Sequence, residues 1–180
     1  MKLDMNETIS LPQGITAVYS QGVLAIKGPK GENKRVIAIP TVHVHVKGND
    51  IMLNSPQGTK REKTLLYTAL AHVKNMIKGV QEPFVYELKI CSGHFPMNVA
   101  VQGSTVSVKN FLGEKIPRTA SIPQGVKVVL AGDKLSVEST DIELAGRCAS
   151  DIEQICRISN RDRRIFQDGI YITKKCGEAI

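Results

Sequence analysis

The chain has 180 residues and a mass of 19.7 kDa, enough for one ordinary domain or two small ones and too short for a large barrel enzyme. With 42% hydrophobic and 23% charged residues its composition is globular, which excludes wholesale disorder, a collagen-like chain and a membrane-embedded one. The 24 lysines and arginines against 17 acids give a net charge of +7, which favours a polyanionic partner.

No apolar run approaches the roughly 18 residues a membrane span needs, and Met1 to Asp4 lead into no apolar signal segment. The expectation is a chain that stays where it is made. Four cysteines, Cys91, Cys148, Cys156 and Cys176, form no C-x-x-C pair and are too sparse for a disulfide scaffold, so a reducing cytosol is expected. Eight aromatic residues and no tryptophan argue against a reader that stacks many bases and for recognition of phosphates and folded shape.

In chain order, short strands are predicted at Thr16 to Tyr19, Val23 to Lys27, Arg35 to Ile39 and Val42 to Lys47, then a turn through Gly48 to Asp50 into Ile51 to Leu53. Val42, His43, Val44, His45 and Val46 alternate, which points valines inward and histidines outward. A turn at Ser55 to Gly58 precedes a helix whose apolar stripe is Leu66, Leu70, Val73 and Ile77. Thr59 and Glu62 make a capping box, and Gly79 marks the expected stop.

The same order returns downstream. Strands are predicted at Phe84 to Ile90, Asn98 to Val101 and Thr105 to Lys109, with a hairpin from Val126 to Leu130 through Gly132 and Asp133 to Leu135 and Val137. Thr140 and Glu143 form a second capping box before the stripe Ala145, Cys148, Ile152 and Ile155. A shift of 79 residues lays Leu66, Ala69, Val73, Met76 and Ile77 over Ala145, Cys148, Ile152, Ile155 and Cys156. The prediction is an α+β fold of two tandem similar domains, each a small antiparallel sheet packed against one helix. They span residues 1–80 and 81–180, the second ending in a basic segment, 157–180.

Charge is distributed unevenly. Asp133 to Glu153 carry six acids against Lys134 and Arg147, a net of −4, whereas Arg157 to Lys175 carry six bases against Asp162 and Asp168, a net of +4. Arginine dominates the basic stretch, and its planar fork suits phosphate. Ile165, Phe166, Ile170, Tyr171 and Ile172 interrupt the charges as apolar anchors, with Asp168 and Gly169 as a turn between them. A segment that packs down presents its arginines in a fixed arrangement.

The run from Gln154 through Ile158, Arg161, Arg164, Phe166, Asp168, Gly169, Ile170, Tyr171 and Ile172 to Lys175 resembles the C-terminal signature of the large ribosomal subunit protein six family in its archaeal and eukaryotic branch. Gly28 to Gly31, His72 to Gly79 (HVKNMIKG), His94 to Pro96 and Asn110 to Lys115 (NFLGEK) are similar to other stretches of that family. The resemblance implies a structural constituent of the large subunit, in the cytoplasmic ribosome. It implies contact with large-subunit ribosomal RNA and neighbouring large-subunit proteins near the stalk base and factor-binding region, through the second domain and C-terminal segment. Carried to this chain, the RNA-binding residues are Arg161, Arg164, Tyr171 and Lys175, with Arg163 and Lys174 as basic neighbours; Lys109, Lys115 and Arg118 flank the NFLGEK loop.

Other constellations are weaker. Cys91 and His94 suggest a thiol nucleophile or two metal ligands, but a metal site needs three or four and a nucleophile needs an oriented base. His43 and His45 share a strand face without a completing cluster. Gly28 to Gly31 lacks phosphate-loop spacing and reads as a turn with a basic tip, while Cys148 and Cys156 read as core. No catalytic residue, cofactor, metal, small-molecule substrate or membrane is expected. The alternatives are an RNA-binding module acting off the ribosome and, in another class, a small Cys91/His94 enzyme.

Overall fold

Fourteen strands, most with alternating apolar and polar side chains, and two amphipathic helices form among the residues that the computed structural model describes, 2–93 and 95–180. The chain divides into two units, Met1–Pro83 and Phe84–Ile180, each with its own buried apolar cluster. Neither helix is long and apolar enough to cross a membrane.

The first unit runs β1 (Leu3–Ser10), β2 (Thr16–Ser20), β3 (Val23–Gly28), β4 (Gly31–Val36), β5 (His43–Lys47), β6 (Asp50–Gly58) and α1 (Lys60–Gln81). All pairing is antiparallel, in two three-stranded sheets ordered β1-β6-β5 and β2-β3-β4. β1 was not foreseen, because Met5, Glu7 and Ile9 are only half-buried and its alternation is mostly polar. β4 lies earlier than the predicted Arg35 to Ile39. The two-residue Pro29–Lys30 turn brings the charged run Gly31–Val36 into register with β3, Gly28 opposite Gly31 and Leu24 opposite Arg35. That turn is fastened to the end of α1: Lys30 donates its N–H to the Val80 carbonyl at 3.1 Å, and a Cβ on Gly28 would lie 2.8 Å from the Val80 side chain.

β6 continues past Leu53 to Gly58, where a turn was expected. Its pairing with β1 shifts register between Leu3 and Met5, and a bulge is where a strand tolerates a proline such as Pro56. Val44 is buried and His43 and His45 are exposed, as the alternation requires. The capping box is present: Glu62 accepts the Thr59 N–H at 2.9 Å and Thr59 caps the first turn. Gly79, however, is buried inside α1 rather than ending it. The helix ends at Glu82, which is extended (φ −134°, ψ 121°) because Pro83 disfavours helical geometry in the residue before it. The stripe Leu66, Leu70, Val73 and Ile77 is buried, with α1 packed on β6, β3 and β4.

The second unit runs β7 (Phe84–Cys91), β8 (Asn98–Gln102), β9 (Thr105–Lys109), β10 (Arg118–Ser121), β11 (Val126–Ala131), β12 (Lys134–Ser139), α2 (Ile142–Ile155), β13 (Gly169–Lys175) and β14 (Glu178–Ala179). Its sheets are ordered β10-β9-β8 and β11-β12-β7-β13-β14. The first matches β4-β3-β2. In the second, β11-β12-β7 repeats β5-β6-β1, and β13 and β14 are additions with no counterpart in the first unit. Strands therefore divide between two sheets in each unit, where one was expected. α2 is capped by Asp141, not Thr140: the Asp141 carboxylate accepts the Glu143 N–H at 2.9 Å, and aspartate is an excellent cap. Ile165, expected as an anchor, is 75% exposed, whereas Ile170 is 1% exposed and forms the inward face of β13. Gly169 opens that strand rather than completing a turn.

Candidate nucleic-acid interface

After α2 the chain turns about Asp162. Its main-chain carbonyl accepts the N–H groups of Ile165 and Phe166 at 3.1 and 3.0 Å, and its carboxylate accepts the Arg164 N–H at 3.0 Å. The Arg164 guanidinium closes on the same carboxylate, Nη2 to Oδ2 at 2.7 Å, and these bonds hold the Asp162 carboxyl below its ordinary range. Arg161 stacks over Phe166 with 5.0 Å to the ring centroid. Arg161, Arg163 and Arg164 are thus carried on a folded turn with their heads in solvent.

The turn is tied to the body of the unit. Asp168 is buried, 7% exposed, and its carboxylate accepts the Gly93 N–H. A Cβ on Gly93 would lie 2.9 Å from that carboxylate, so the glycine lets the 92–93 backbone come this close. Tyr171 donates its hydroxyl to the Gln167 carbonyl at 3.2 Å. Burial raises the Tyr171 pKa, while the charge of Arg163 pulls it down.

Between these pieces and the chain leaving β7 lies an open groove of about 1560 Å³, lined by Phe95, Met97, Leu112, Phe166, Asp168 and Tyr171 among others. Phe95 is 40% exposed there. Lys89 also lines it: in register, Lys134, Lys89 and Tyr171 lie in one row across β12, β7 and β13. Lys89 and Lys134 were missed by sequence reading, since an isolated lysine on a strand's outer face looks like ordinary solvation; only the pairing of β13 with β7 makes them neighbours of the arginine turn.

The other expected residues separate from this group. Lys174 and Lys175 stand at the far end of β13, whose six residue steps span about 20 Å, and Lys174 pairs with Glu87 at 3.2 Å. Lys109 ends β9, and Lys115 follows the 3-10 turn Phe111–Gly113 that contributes Leu112 to the groove. In that turn Asn110 and Leu112 both adopt left-handed backbone, φ 60° and 49°, a costly geometry for leucine.

Arg118 was expected to face RNA, yet four of its five donors are used within the unit. Nε and Nη2 grip the two Glu114 oxygens at 2.8 and 2.6 Å, and Nη1 donates to the carbonyls of Ile155 and Arg157 at 2.7 and 3.1 Å. Its guanidinium also stacks on Phe111 at 4.4 Å. Arg118 clamps the 110–117 loop to the end of α2, and the bonded guanidinium lowers the Glu114 pKa.

The two thiols on the apolar side of α2 are not nucleophiles. Burial raises the thiols of Cys148 and Cys156 to about 11, which keeps them protonated and inert. Among the described residues no group of three or more His, Cys, Asp or Glu could hold a metal. Cys91 is half-buried; His94, its expected partner, lies outside the described residues.

The profile of the ribosomal protein L6 family matches this chain twice, at residues 11–83 and 95–169. Each match begins after the first strand of its unit, and the second ends where β13 begins. The chain is 43% identical over 180 residues to large ribosomal subunit protein uL6 of Nanoarchaeum equitans, covering 96% of this chain and 94% of that one. It is 42% identical over 168 residues to the protein of that name from Methanocella arvoryzae, covering 93% and 95%, and 38% identical over 176 residues to that from Methanococcus vannielii, covering 98% and 97%.

Proposed function

The chain belongs to the ribosomal protein L6 family, on its archaeal branch, and from that premise we propose that its second unit binds large-subunit ribosomal RNA through the arginine turn and the groove beside it. The protein is a structural, non-enzymatic constituent of the large ribosomal subunit. The finer reading places it near the stalk base and factor-binding region of the cytoplasmic ribosome, among neighbouring large-subunit proteins.

The observation that carries the RNA site is the Asp162 turn, which holds Arg164 on its carboxylate and stacks Arg161 on Phe166, with Arg163 exposed between them. Guanidinium groups fixed this way meet phosphates without first losing the freedom of a loose tail, and each phosphate neutralised releases counterions. Lys89 and Lys134 extend the positive surface over the sheet face; Lys109 and Lys115 extend it past the groove. Lys174 and Lys175 form a second contact point along β13. Arg118 serves as a positioning residue that keeps the loop between β9 and β10 in place.

The test is equilibrium binding to large-subunit ribosomal RNA and to an unrelated folded RNA across a salt series, for the native chain and for Arg161→Glu/Arg163→Glu/Arg164→Glu. Loss of three phosphate contacts flattens the slope of log affinity against log salt by about 2 to 3. Unchanged affinity and slope in the triple variant would move the site elsewhere.

A further inference from the structure

The two units differ at one sheet edge. β7 is flanked on both sides, by β12 and β13, while β1 pairs only with β6. The offset of 79 that aligns α1 with α2 also aligns β1 with β7: Met5 opposite Ser55, Glu7 opposite Leu53 and Ile9 opposite Ile51 repeat Phe84 opposite Ser139, Tyr86 opposite Val137 and Leu88 opposite Leu135. Phe84 is 4% exposed, and Tyr86 and Leu88, flanked by β13, are 8% and 0% exposed. Their counterparts Met5, Glu7 and Ile9 are only half-buried.

The direction of the backbone follows from one bond. Leu11 donates its N–H to Asn49 at 2.8 Å, toward β6, so Asn6, Thr8 and Ser10 turn their N–H and C=O groups to the open edge. In the second unit the matching carbonyls of Val85 and Glu87 accept from Cys176 and Thr173 of the added segment. Among the described residues the three edge groups of β1 have no backbone partner. An unpaired strand edge is a template for another strand.

Charge selects the occupant. The strand on β7 is basic, and Glu153 of α2 accepts its Ile172 N–H at 3.2 Å while Glu87 pairs with Lys174. At the aligned positions the first unit has Lys74 in place of Glu153 and Thr8 in place of Glu87. Lys63 and Tyr67 complete that flank, Lys63 lying 5.8 Å above the Tyr67 ring and Tyr67 bonding Glu7 at 2.8 Å. We infer that the open edge of β1 receives an extended, acidic segment of a neighbouring protein as an added antiparallel strand. Only the source of that segment, another protein of the large subunit, rests on the ribosomal reading.

The test uses the full, isotope-labelled chain and two probes, an octapeptide alternating valine with glutamate and one alternating valine with lysine. The acidic peptide should shift the amide signals of Asn6, Thr8 and Ser10 more than those of Glu7 and Ile9 and bind about tenfold tighter than the basic one. Lys63→Glu/Lys74→Glu, two exposed changes, should reverse that preference. Binding of neither peptide, equal binding of both, or shifts confined to the second unit would overturn the inference. In large subunits assembled with the chain, the same three amides should exchange about tenfold more slowly than in the free chain. Unchanged rates, protection lost on nuclease digestion, or protection already present in a dimer of the free chain would each give the edge a different occupant or none. Failure to enter the subunit would sink the ribosomal reading instead, with the peptide measurements still deciding the edge.

Discussion

The two units share a plan, yet one carries an extra strand and the other does not, and that strand separates a sheet edge from a sheet interior. In the second unit β13 pairs with β7, and Asp168 ties the turn that precedes it to Gly93, a turn on which Arg164 is held by Asp162 and Arg161 stacks on Phe166. In the first unit the aligned strand remains an edge, and the helix partly shields it with Tyr67. Even the aromatic ring moves between elements: Tyr86 sits on the strand opposite Gly146 of α2, where a Cβ would lie 3.1 Å from its hydroxyl, whereas the first unit has Glu7 on the strand and Tyr67 on the helix. On the proposed reading, a repeated fold acquires its RNA-binding surface by covering one edge with a strand that is itself basic.

The sharpest way to break this comparison is to cut the same position in both units. Leu88→Ala, at a fully buried site, should cost about 2–5 kcal/mol, while Ile9→Ala, half-exposed, should cost about 1 kcal/mol. Hydrogen exchange read separately in each unit checks this, and equal losses would deny that β13 buries its neighbour.

A smaller effect is expected at the loop that replaces the two-residue Pro29–Lys30 turn. Arg118→Ala leaves the carbonyls of Ile155 and Arg157 without their donor and should cost about 1–3 kcal/mol in thermal unfolding of the second unit. Arg118→Lys should recover little, because an ammonium cannot grip Glu114 with two donors and reach α2 as well. Full rescue by lysine would reduce the clamp to simple charge.

The arginine turn permits a prediction whose sign opposes net charge. Asp162→Ala makes the chain more positive, yet it removes the carboxylate that holds the Arg164 N–H and guanidinium, so affinity for ribosomal RNA should fall about threefold to tenfold, roughly 1 kcal/mol. A rise in affinity would show that charge alone governs binding.

The smallest effect is on pH dependence. Glu114 has a folded pKa below its ordinary 4.5, chiefly through its hydrogen bond to Arg118. A lowered carboxyl pKa contributes stability that is present above the unfolded value and is lost as pH falls through the folded one. Acidification below about 4.5 should therefore speed amide exchange in residues 110–117 before it affects the Pro29–Lys30 hairpin, and Arg118→Ala should abolish the difference.

Local signals were legible from the sequence. The Thr59–Glu62 capping box, the stripes of both helices and the hairpins at Gly48 and Gly132 are read from neighbours within a few residues. What escaped depends on distant pairing. β4 is a strand despite its run of charges because a two-residue turn sets it against β3, and β1 is mostly polar because Asp4, Asn6, Thr8 and Ser10 occupy its solvated face. Of the candidate site, the arginines were legible as a cluster of charge. The commitment of Arg118 to α2 and the company that Lys89 and Lys134 keep were not, since each depends on residues tens of positions away. Nor did the sequence disclose that residues after Ile158 include a core strand: ending the chain there would remove Ile170 from the interior along with the arginines.

The most direct measurement is ultraviolet cross-linking of the native chain to large-subunit ribosomal RNA in assembled subunits, with the cross-linked peptides identified by mass. The account predicts RNA cross-links at Phe95, Phe166 and Tyr171 and across residues 157–168, lost in Arg161→Glu/Arg163→Glu/Arg164→Glu. Cross-links concentrated in the first unit and unaffected by that variant would contradict it.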